Sequence, residues 1–342
     1  MQMDIKRNHS LKPFNTFGVD VLTDYFVEVK SLNECKEALK WAKENHQKIL
    51  LLGGGSNMLL VENWKGLAVK INTKGIEIYA EEENSVFVRA QAGENWHEFV
   101  MWTLNQDFGG IENLSLIPGN VGTVPIQNIG AYGVEIKNTL IELDAIHIDS
   151  QEIKTFSREE CRFGYRESIF KNEVKDEFII LSVSFKLSKK NHELHINYGD
   201  IQSELQKLDI QNPTIQDVSR VIIKIRESKL PDPEKIGNSG SFFKNPVISI
   251  SKYEEVKSNY PEIIAYPVGS EMKVAAGWLI ERAGWKGKRV GQAGVHEKQA
   301  LVLVNYGGAS GKEIYDLSEK IIQDIQTKFG ITLEREVNII QS

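Results

Sequence analysis

The segment Cys161-Arg162-Phe163-Gly164-Tyr165-Arg166 sets two arginines and a tyrosine around a glycine turn. A guanidinium so placed can grip a carboxylate or phosphate through two parallel N–H bonds. The same residues also read as an exposed turn with surface arginines. Further on, Gly237-Asn238-Ser239-Gly240-Ser241-Phe242-Phe243-Lys244-Asn245-Pro246 is a polar turn running into two aromatics. Either serine can give a proton in a pocket walled by Phe242 or Phe243. Serine is a weak general acid, so turn chemistry is the default for such a run. Glu334 and Glu336 point the same way from a final strand, where either can be a general acid or base or a solvated charge. Spacing does not choose between them. Trp285-Lys286-Gly287-Lys288-Arg289 is the densest basic spot of the C-terminal half and can receive a phosphate. Lys229, before a proline-rich bend, is ambiguous in the same way.

Two glycine loops carry a stronger signal together than alone. Leu116 to Val134 holds four glycines, two prolines and two asparagines, too much turn chemistry for a helix or long strand. Upstream, the apolar run Ile49 to Leu52 delivers Gly53-Gly54-Gly55-Ser56-Asn57. Glycine lets a backbone approach a ligand and turn its N–H groups toward phosphates. Two such loops suggest a long, diphosphate-bearing ligand. Neither is a common fingerprint. Met58 stands where G-x-G-x-x-G needs its third glycine. Around Gly311-Lys312, Tyr306 and Glu313 break a P-loop, and Gly237 to Ser241 breaks a nucleophile elbow. A dinucleotide on a less common fold is the reading that remains.

The elements that must position these residues alternate between helix and strand. Asp24 to Lys30 reads as a strand, followed by a helix boxed by Ser31 and Glu34 with the stripe Leu32, Cys35, Leu39 and Ala42. The strand Lys48 to Leu52 completes a β-α-β unit. Gly66 to Leu187 is strand-rich, with a helical patch at Trp96 to Leu104. Asn212 and Pro213 open a helix with Ile215, Val218, Ile222 and Ile225 on its buried face. Val274 to Ala283 reads as a helix stopped by Gly284. Ser310 and Glu313 box the last helix and Gly330 stops it. A strand then puts Ile331, Leu333, Val337 and Ile339 on one face and Glu334, Glu336 and Asn338 on the other.

Composition narrows the function classes. At 342 residues and 41% hydrophobic the chain can fill two or three domain cores. Its net charge of −6 argues against a nucleic-acid binder. No run is apolar for the ~20 residues a membrane span needs. The N-terminal residues lack the apolar core of a signal peptide, and Cys35 and Cys161 form no C-x-x-C. A cytoplasmic protein with free thiols and no metal site is expected.

Taken together, several segments resemble one family, the bacterial UDP-N-acetylenolpyruvoylglucosamine reductases (the MurB family). They are Asn15-Thr16-Phe17-Gly18, Gly53 to Asn57, Ile117-Pro118-Gly119 through Gly130-Ala131-Tyr132-Gly133, and Arg162-Phe163-Gly164-Tyr165-Arg166. Gly240 to Pro246, Ala275-Ala276-Gly277-Trp278-Leu279-Ile280 and Glu336-Val337 follow in the family's order. Gly54 stands where relatives also carry an acidic residue. The resemblance implies an α+β fold, with a two-subdomain FAD-binding domain of the vanillyl-alcohol-oxidase (PCMH) type and a C-terminal α+β substrate-binding domain. The implied boundaries are 1–65, joined by 331–342, then 66–200, then 205–330. Tyr198-Gly199-Asp200 resembles the tyrosine loop of the type I branch.

The resemblance also implies a chemistry and its residues. NADPH reduces a non-covalent FAD, hydride passes to the enolpyruvyl C3, and Ser241 protonates C2 to give UDP-N-acetylmuramate, a peptidoglycan precursor. Arg166 and Glu336 stabilise the enol-like intermediate. FAD falls to Gly53, Gly54, Gly55, Ser56, Asn57, Gly119, Gly122, Thr123, Gln127, Asn128, Gly130 and Ala131. The UDP-sugar falls to Tyr165, Tyr198, Lys229, Asn245, Tyr266, Lys286 and Gln299. The expected partners are this substrate and NADPH, with no nucleic acid or membrane, and the expected state is a monomer. An alcohol or sugar oxidase on the same scaffold would share the loops but not Ser241 with Glu336. A nucleotide-binding protein without catalysis would need neither.

Overall fold

The computed structural model describes residues 3–342. Two compact units emerge. One takes the N-terminal residues through His9 with Thr23–Gly54 and Lys65–Ser228, the other Ser10–Leu22, Gly55–Trp64 and Lys229–Ser342.

In the first unit, strand Leu22–Val29 leads into α1 (Leu32–Glu44), and Ser31 caps it by accepting the Glu34 N–H at 3.2 Å. The Glu34 carboxylate reaches back to the Lys30 N–H at 2.6 Å, one residue short of a regular box. Strand Ile49–Leu52 then pairs in parallel with Trp64–Ile71, Ile49 facing Leu67. Cys35, Ala38, Leu39 and Ala42 bury against Val27, Val29, Leu67 and Val69. The chain therefore leaves Leu52 for Gly53 from a clamped strand end. A five-stranded sheet runs in the order Ile153–Ser157, Leu140–His147, Phe178–Ser188, Ser85–Gln91, Ile76–Glu81, each neighbour antiparallel. Against it lies α2 (Trp96–Asn105), with Phe99 and Phe185 rings 5.1 Å apart. Two further helices, α3 (Ile201–Lys207) and α4 (Ile215–Lys229), share a core of Ile201, Leu205, Val218, Val221, Ile222 and Ile225. The start of α4 differs from the sequence reading. Thr214 rather than Asn212 caps it, because Thr214 and Asp217 satisfy each other's N–H groups at 3.0 and 3.2 Å.

The second unit holds α5 (Ile250–Asn259), α6 (Ala276–Arg282) and α7 (Gly311–Phe329). Its antiparallel sheet is ordered Gly237–Ser241, Val302–Asn305, Ala293–Val295, Arg289–Val290, and a smaller one Val247–Ser249, Glu271–Val274, Ala265–Val268. Val274 ends a strand opposite Ala265 instead of opening α6. The cap of α6 is remote in sequence, the Asn245 Oδ1 accepting from the Ala276 N–H at 2.9 Å. For α7 the box of Ser310 and Glu313 forms as read, and Gly330 closes the helix at φ 63°. The final segment is not one strand. Ile331, Leu333 and Val337 are buried, but only Asn338–Ile340 is regular, paired in parallel with Met58–Leu60. Its partner changes along the way, since Arg335 bridges to Phe243. Among the described residues no helix is long and apolar enough to cross a membrane, and no histidine, cysteine or acidic cluster is set to hold a metal.

Candidate active site

Within the first unit the two glycine loops press backbone to backbone. A Cβ on Gly54 would lie 2.5 Å from Gly119 Cα and 2.9 Å from Asn120 Oδ1, and one on Gly53 would lie 2.3 Å from Thr123 Cγ2. The second loop is tied to α2 and its preceding turn. Trp96 N–H, an orphan donor of the first helical turn, bonds Gly119 O at 3.0 Å, while Val121 and Gly122 donate to Glu94 and Ala92 at 2.9 Å each. Thr123 Oγ1 donates to Asn120 O at 2.7 Å. Lys70, unmarked in the sequence, donates to Gly53 O at 2.5 Å, and burial holds its pKa below the ordinary lysine value. A glycine-rich, doubly anchored backbone of this kind fits a phosphate-bearing dinucleotide. Gly55, Ser56 and Asn57 belong to the second unit. There Thr16 N–H bonds Gly55 O at 3.0 Å, and Asn57 Nδ2 donates to Glu336 O at 3.3 Å.

The arginine turn lies beside the end of the second loop. Arg166 Nη2 donates to Gly130 O at 2.8 Å, and its guanidinium stands 5.8 Å from the exposed Tyr165 ring. Asn128 is fully buried and its amide is committed, donating to Gly164 O at 2.8 Å and accepting from Lys137 N–H at 3.2 Å. It thereby sets the turn that carries Arg166. Ala131 follows Gly130 in a two-residue strand opposite Val134, and Gln127 precedes Asn128 on the same loop. Tyr198, exposed, meets Tyr132 edge-on with centroids 6.5 Å apart. Arg226 of α4 enters this neighbourhood, feeling the charges of Tyr132 and Arg166. The sequence marked it only as a polar residue four positions after Ile222, on the buried row of α4.

The second unit brings Ser241 and Glu336 into adjacent register. Ser241 ends its strand opposite Val302, after a bulge at which Gly240 takes φ 68°. Beyond it, Phe242 N–H bonds Leu301 O at 2.8 Å, and Phe242 O accepts from Glu336 N–H at 2.8 Å. Phe243 bridges Arg335, and Lys244 N–H bonds Glu334 O at 2.9 Å. Glu334 is more than a solvated strand-face charge. It meets Lys244 Nζ at 2.6 Å, and the Lys244 side chain is only 11% exposed. Asn245 and Gln299 converge on the first turn of α6. Gln299 Oε1 would lie 3.6 Å from a Cβ on Gly277 and accepts from Leu301 N–H at 3.4 Å. Lys286 is paired with Glu281 at 2.9 Å. Tyr266 stands exposed on the smaller sheet, and Lys229 is exposed at the end of α4. Both thiols are buried and free, with burial pushing Cys35 up to about 11 and Cys161 up to about 12.

Comparison with known proteins matches these regions. Residues 23–155 match the model of an FAD binding domain, and residues 232–340 that of the UDP-N-acetylenolpyruvoylglucosamine reductase C-terminal domain. The reductase of that name from Flavobacterium johnsoniae is 55% identical over 99% of this chain and 100% of its own length. The one from Pseudomonas aeruginosa is 44% identical over 99% of this chain and 100% of its own length. Among solved structures, UDP-N-acetylenolpyruvylglucosamine reductase from Thermus caldophilus aligns over 100% of both chains with a TM-score of 0.69 at 21% identity. A 6-hydroxy-D-nicotine oxidase from Arthrobacter nicotinovorans covers 97% of this chain and 87% of its own with a TM-score of 0.51 at 11% identity, a likeness of fold alone. The α+β architecture with an FAD-binding domain and a separate C-terminal domain is thus the family's own, and the chain belongs to the UDP-N-acetylenolpyruvoylglucosamine reductases, FAD-dependent oxidoreductases.

Proposed function

We propose that this protein reduces UDP-N-acetylenolpyruvoylglucosamine to UDP-N-acetylmuramate with NADPH as reductant, acting as a cytoplasmic monomer. The observation that supports the proposal is the pairing of residues 242–244 with 334–336 through three backbone contacts, which brings the segment carrying Ser241 into register with the segment carrying Glu336. FAD, when bound, would supply hydride-transfer chemistry between NADPH and the enolpyruvyl C3. The chain does the rest. Gly53, Gly54, Gly119, Gly122 and Thr123 hold the dinucleotide, with Gly55, Ser56, Asn57, Gln127, Asn128, Gly130 and Ala131 completing its path. Ser241 gives its proton to C2, a carbanion-like and therefore strongly basic carbon, which offsets the weakness of serine as an acid. Arg166 and Glu336 stabilise the enol-like intermediate at the substrate carboxyl, where negative charge grows as hydride arrives, and the preorganised guanidinium donors of Arg166 lower the barrier there. The exposed Tyr165, Tyr198, Lys229, Tyr266 and Lys286, with Asn245 and Gln299, take the remote sugar nucleotide and spend its binding on orientation. In this reading residues 1–65 with 331–342 and residues 66–200 form the FAD-binding subdomains, and 205–330 the substrate domain.

The test is an anaerobic titration. NADPH should bleach the flavin, and the enolpyruvyl sugar nucleotide should restore its colour stoichiometrically. No response to the sugar nucleotide, with reoxidation by oxygen and alcohol-dependent turnover in a parallel aerobic assay, would place the protein with the oxidases instead.

A further inference from the structure

Leu116 opens the second glycine loop in a left-handed conformation, φ 58°, that a branched side chain rarely adopts. Both of its peptide groups are gripped by side chains from different helices. Its N–H donates to His97 Nδ1 of α2 at 3.0 Å, and its carbonyl accepts from Arg226 Nε of α4 at 3.3 Å. The two helices are themselves tied to this stretch and to each other. Ser219 of α4 meets Ser115 Oγ to Oγ at 2.7 Å, and Gln216 of α4 donates to the α2 carbonyl of Leu104 at 2.9 Å. Such a grip replaces the local hydrogen bonds that an αL residue gives up.

We infer that His97 and Arg226 are positioning residues for FAD, a clamp that holds Leu116 in its left-handed state and so fixes the path of the loop into Gly119 and Gly122. The inference rests on the reading that this loop carries the flavin dinucleotide. The bond from Leu116 requires an unprotonated Nδ1, so the ring proton sits on Nε2. Burial, then the nearby Arg226 charge, disfavours the imidazolium, while Glu98 favours it. The single bond from Arg226 Nε supplies the N–H donor that the carbonyl side of the clamp needs.

The experiment measures FAD binding to apoprotein by flavin fluorescence quenching, beside the apoprotein's thermal midpoint. His97→Ala and Arg226→Met should each weaken FAD binding about ten-fold or more, the effect of one lost buried hydrogen bond. His97→Asn, whose Oδ1 takes the place of Nδ1, and Arg226→Lys, which keeps a donor, should retain most of the affinity. In a Leu116→Gly background, where positive φ costs nothing, the losses should shrink, and that non-additivity is the signature of the clamp. Equal losses in both backgrounds would overturn it, leaving a packing role. Normal FAD affinity in His97→Ala and Arg226→Met, with Gly119→Ala defective, would sink the clamp and keep the loop reading. Normal affinity in Gly119→Ala as well would sink both. Should the larger changes prevent folding, the asparagine, lysine and glycine variants carry the test.

Discussion

In the proposed reaction Ser241 and Glu336 have separate jobs on one backbone junction, and their variants should separate accordingly. Ser241→Ala should leave flavin reduction by NADPH intact and slow flavin reoxidation by substrate at least ~100-fold, the usual worth of general acid catalysis. Stopped-flow absorbance of each half-reaction checks this; collapse of both halves would make Ser241 a structural residue. Glu336→Gln should likewise slow only reoxidation, by orders of magnitude. Glu334→Gln, which breaks the pair of the exposed Glu334 with the mostly buried Lys244, should cost about 1 kcal/mol of stability, the upper end for a surface ion pair, while reoxidation stays within a few-fold of normal. A larger kinetic defect in Glu334→Gln would exchange their roles. Protonation gives a further outcome. Burial holds His97 below its ordinary value of 6.5, so the native state binds its proton less readily than the unfolded chain. Its stabilisation is present above 6.5 and is lost as pH falls through the native value. Melting points should therefore drop from pH 7 toward pH 5, and drop less in His97→Asn. The charges facing His97 are Arg226 from α4 and Glu98 from its own helix.

Elements whose signals are local were legible, and those set by distant partners were not. The box of Ser310 and Glu313 and the stop at Gly330 lie within a few residues of the helix they bound, and α7 forms where they place it. The α4 cap was misplaced because Thr214 and Asp217 outcompete Asn212 through a reciprocal bond. For α6 the cap comes from Asn245, 31 residues upstream, which no helix-local pattern announces. The motifs that mark the family were legible, but the ion pair of Lys244 and Glu334 spans 90 residues and depends on strand register. Gly311 shows how far element context overrides propensity. Alanine normally stabilises a helix over glycine by up to ~1 kcal/mol. Here a Cβ would stand 1.8 Å from Leu60 O, because the first turn of α7 abuts the strand Met58–Leu60. Gly311→Ala should therefore destabilise by ~1–3 kcal/mol, the cost of overpacking, in a chemical denaturation curve. A stabilised variant would mean that the close approach is absent.

At the scale of the whole molecule, the loops proposed to carry flavin offer it backbone rather than a tethering histidine or cysteine. No histidine or cysteine lies between Gly53 and Asn57 or between Leu116 and Val134. The purified protein should be yellow and should release all of its flavin into the supernatant on denaturation; colour retained in the precipitated protein would reveal a covalent link. The pairing of Asn338–Ile340 with Met58–Leu60 has a consequence for how the protein is made. Asn338 bonds Asn57, 281 residues earlier. At ribosomal speeds of ~5–20 residues per second, the strand Met58–Leu60 is synthesised some tens of seconds before its partner exists. For that interval a fully apolar strand edge is left waiting on the nascent chain, open to pairing with a neighbour. The first unit, complete by Ser228, can fold in the meantime. The second cannot complete its pairing until residues 338–340 have been made, and a ribosome stalled before residue 338 releases a chain whose strand edge stays open.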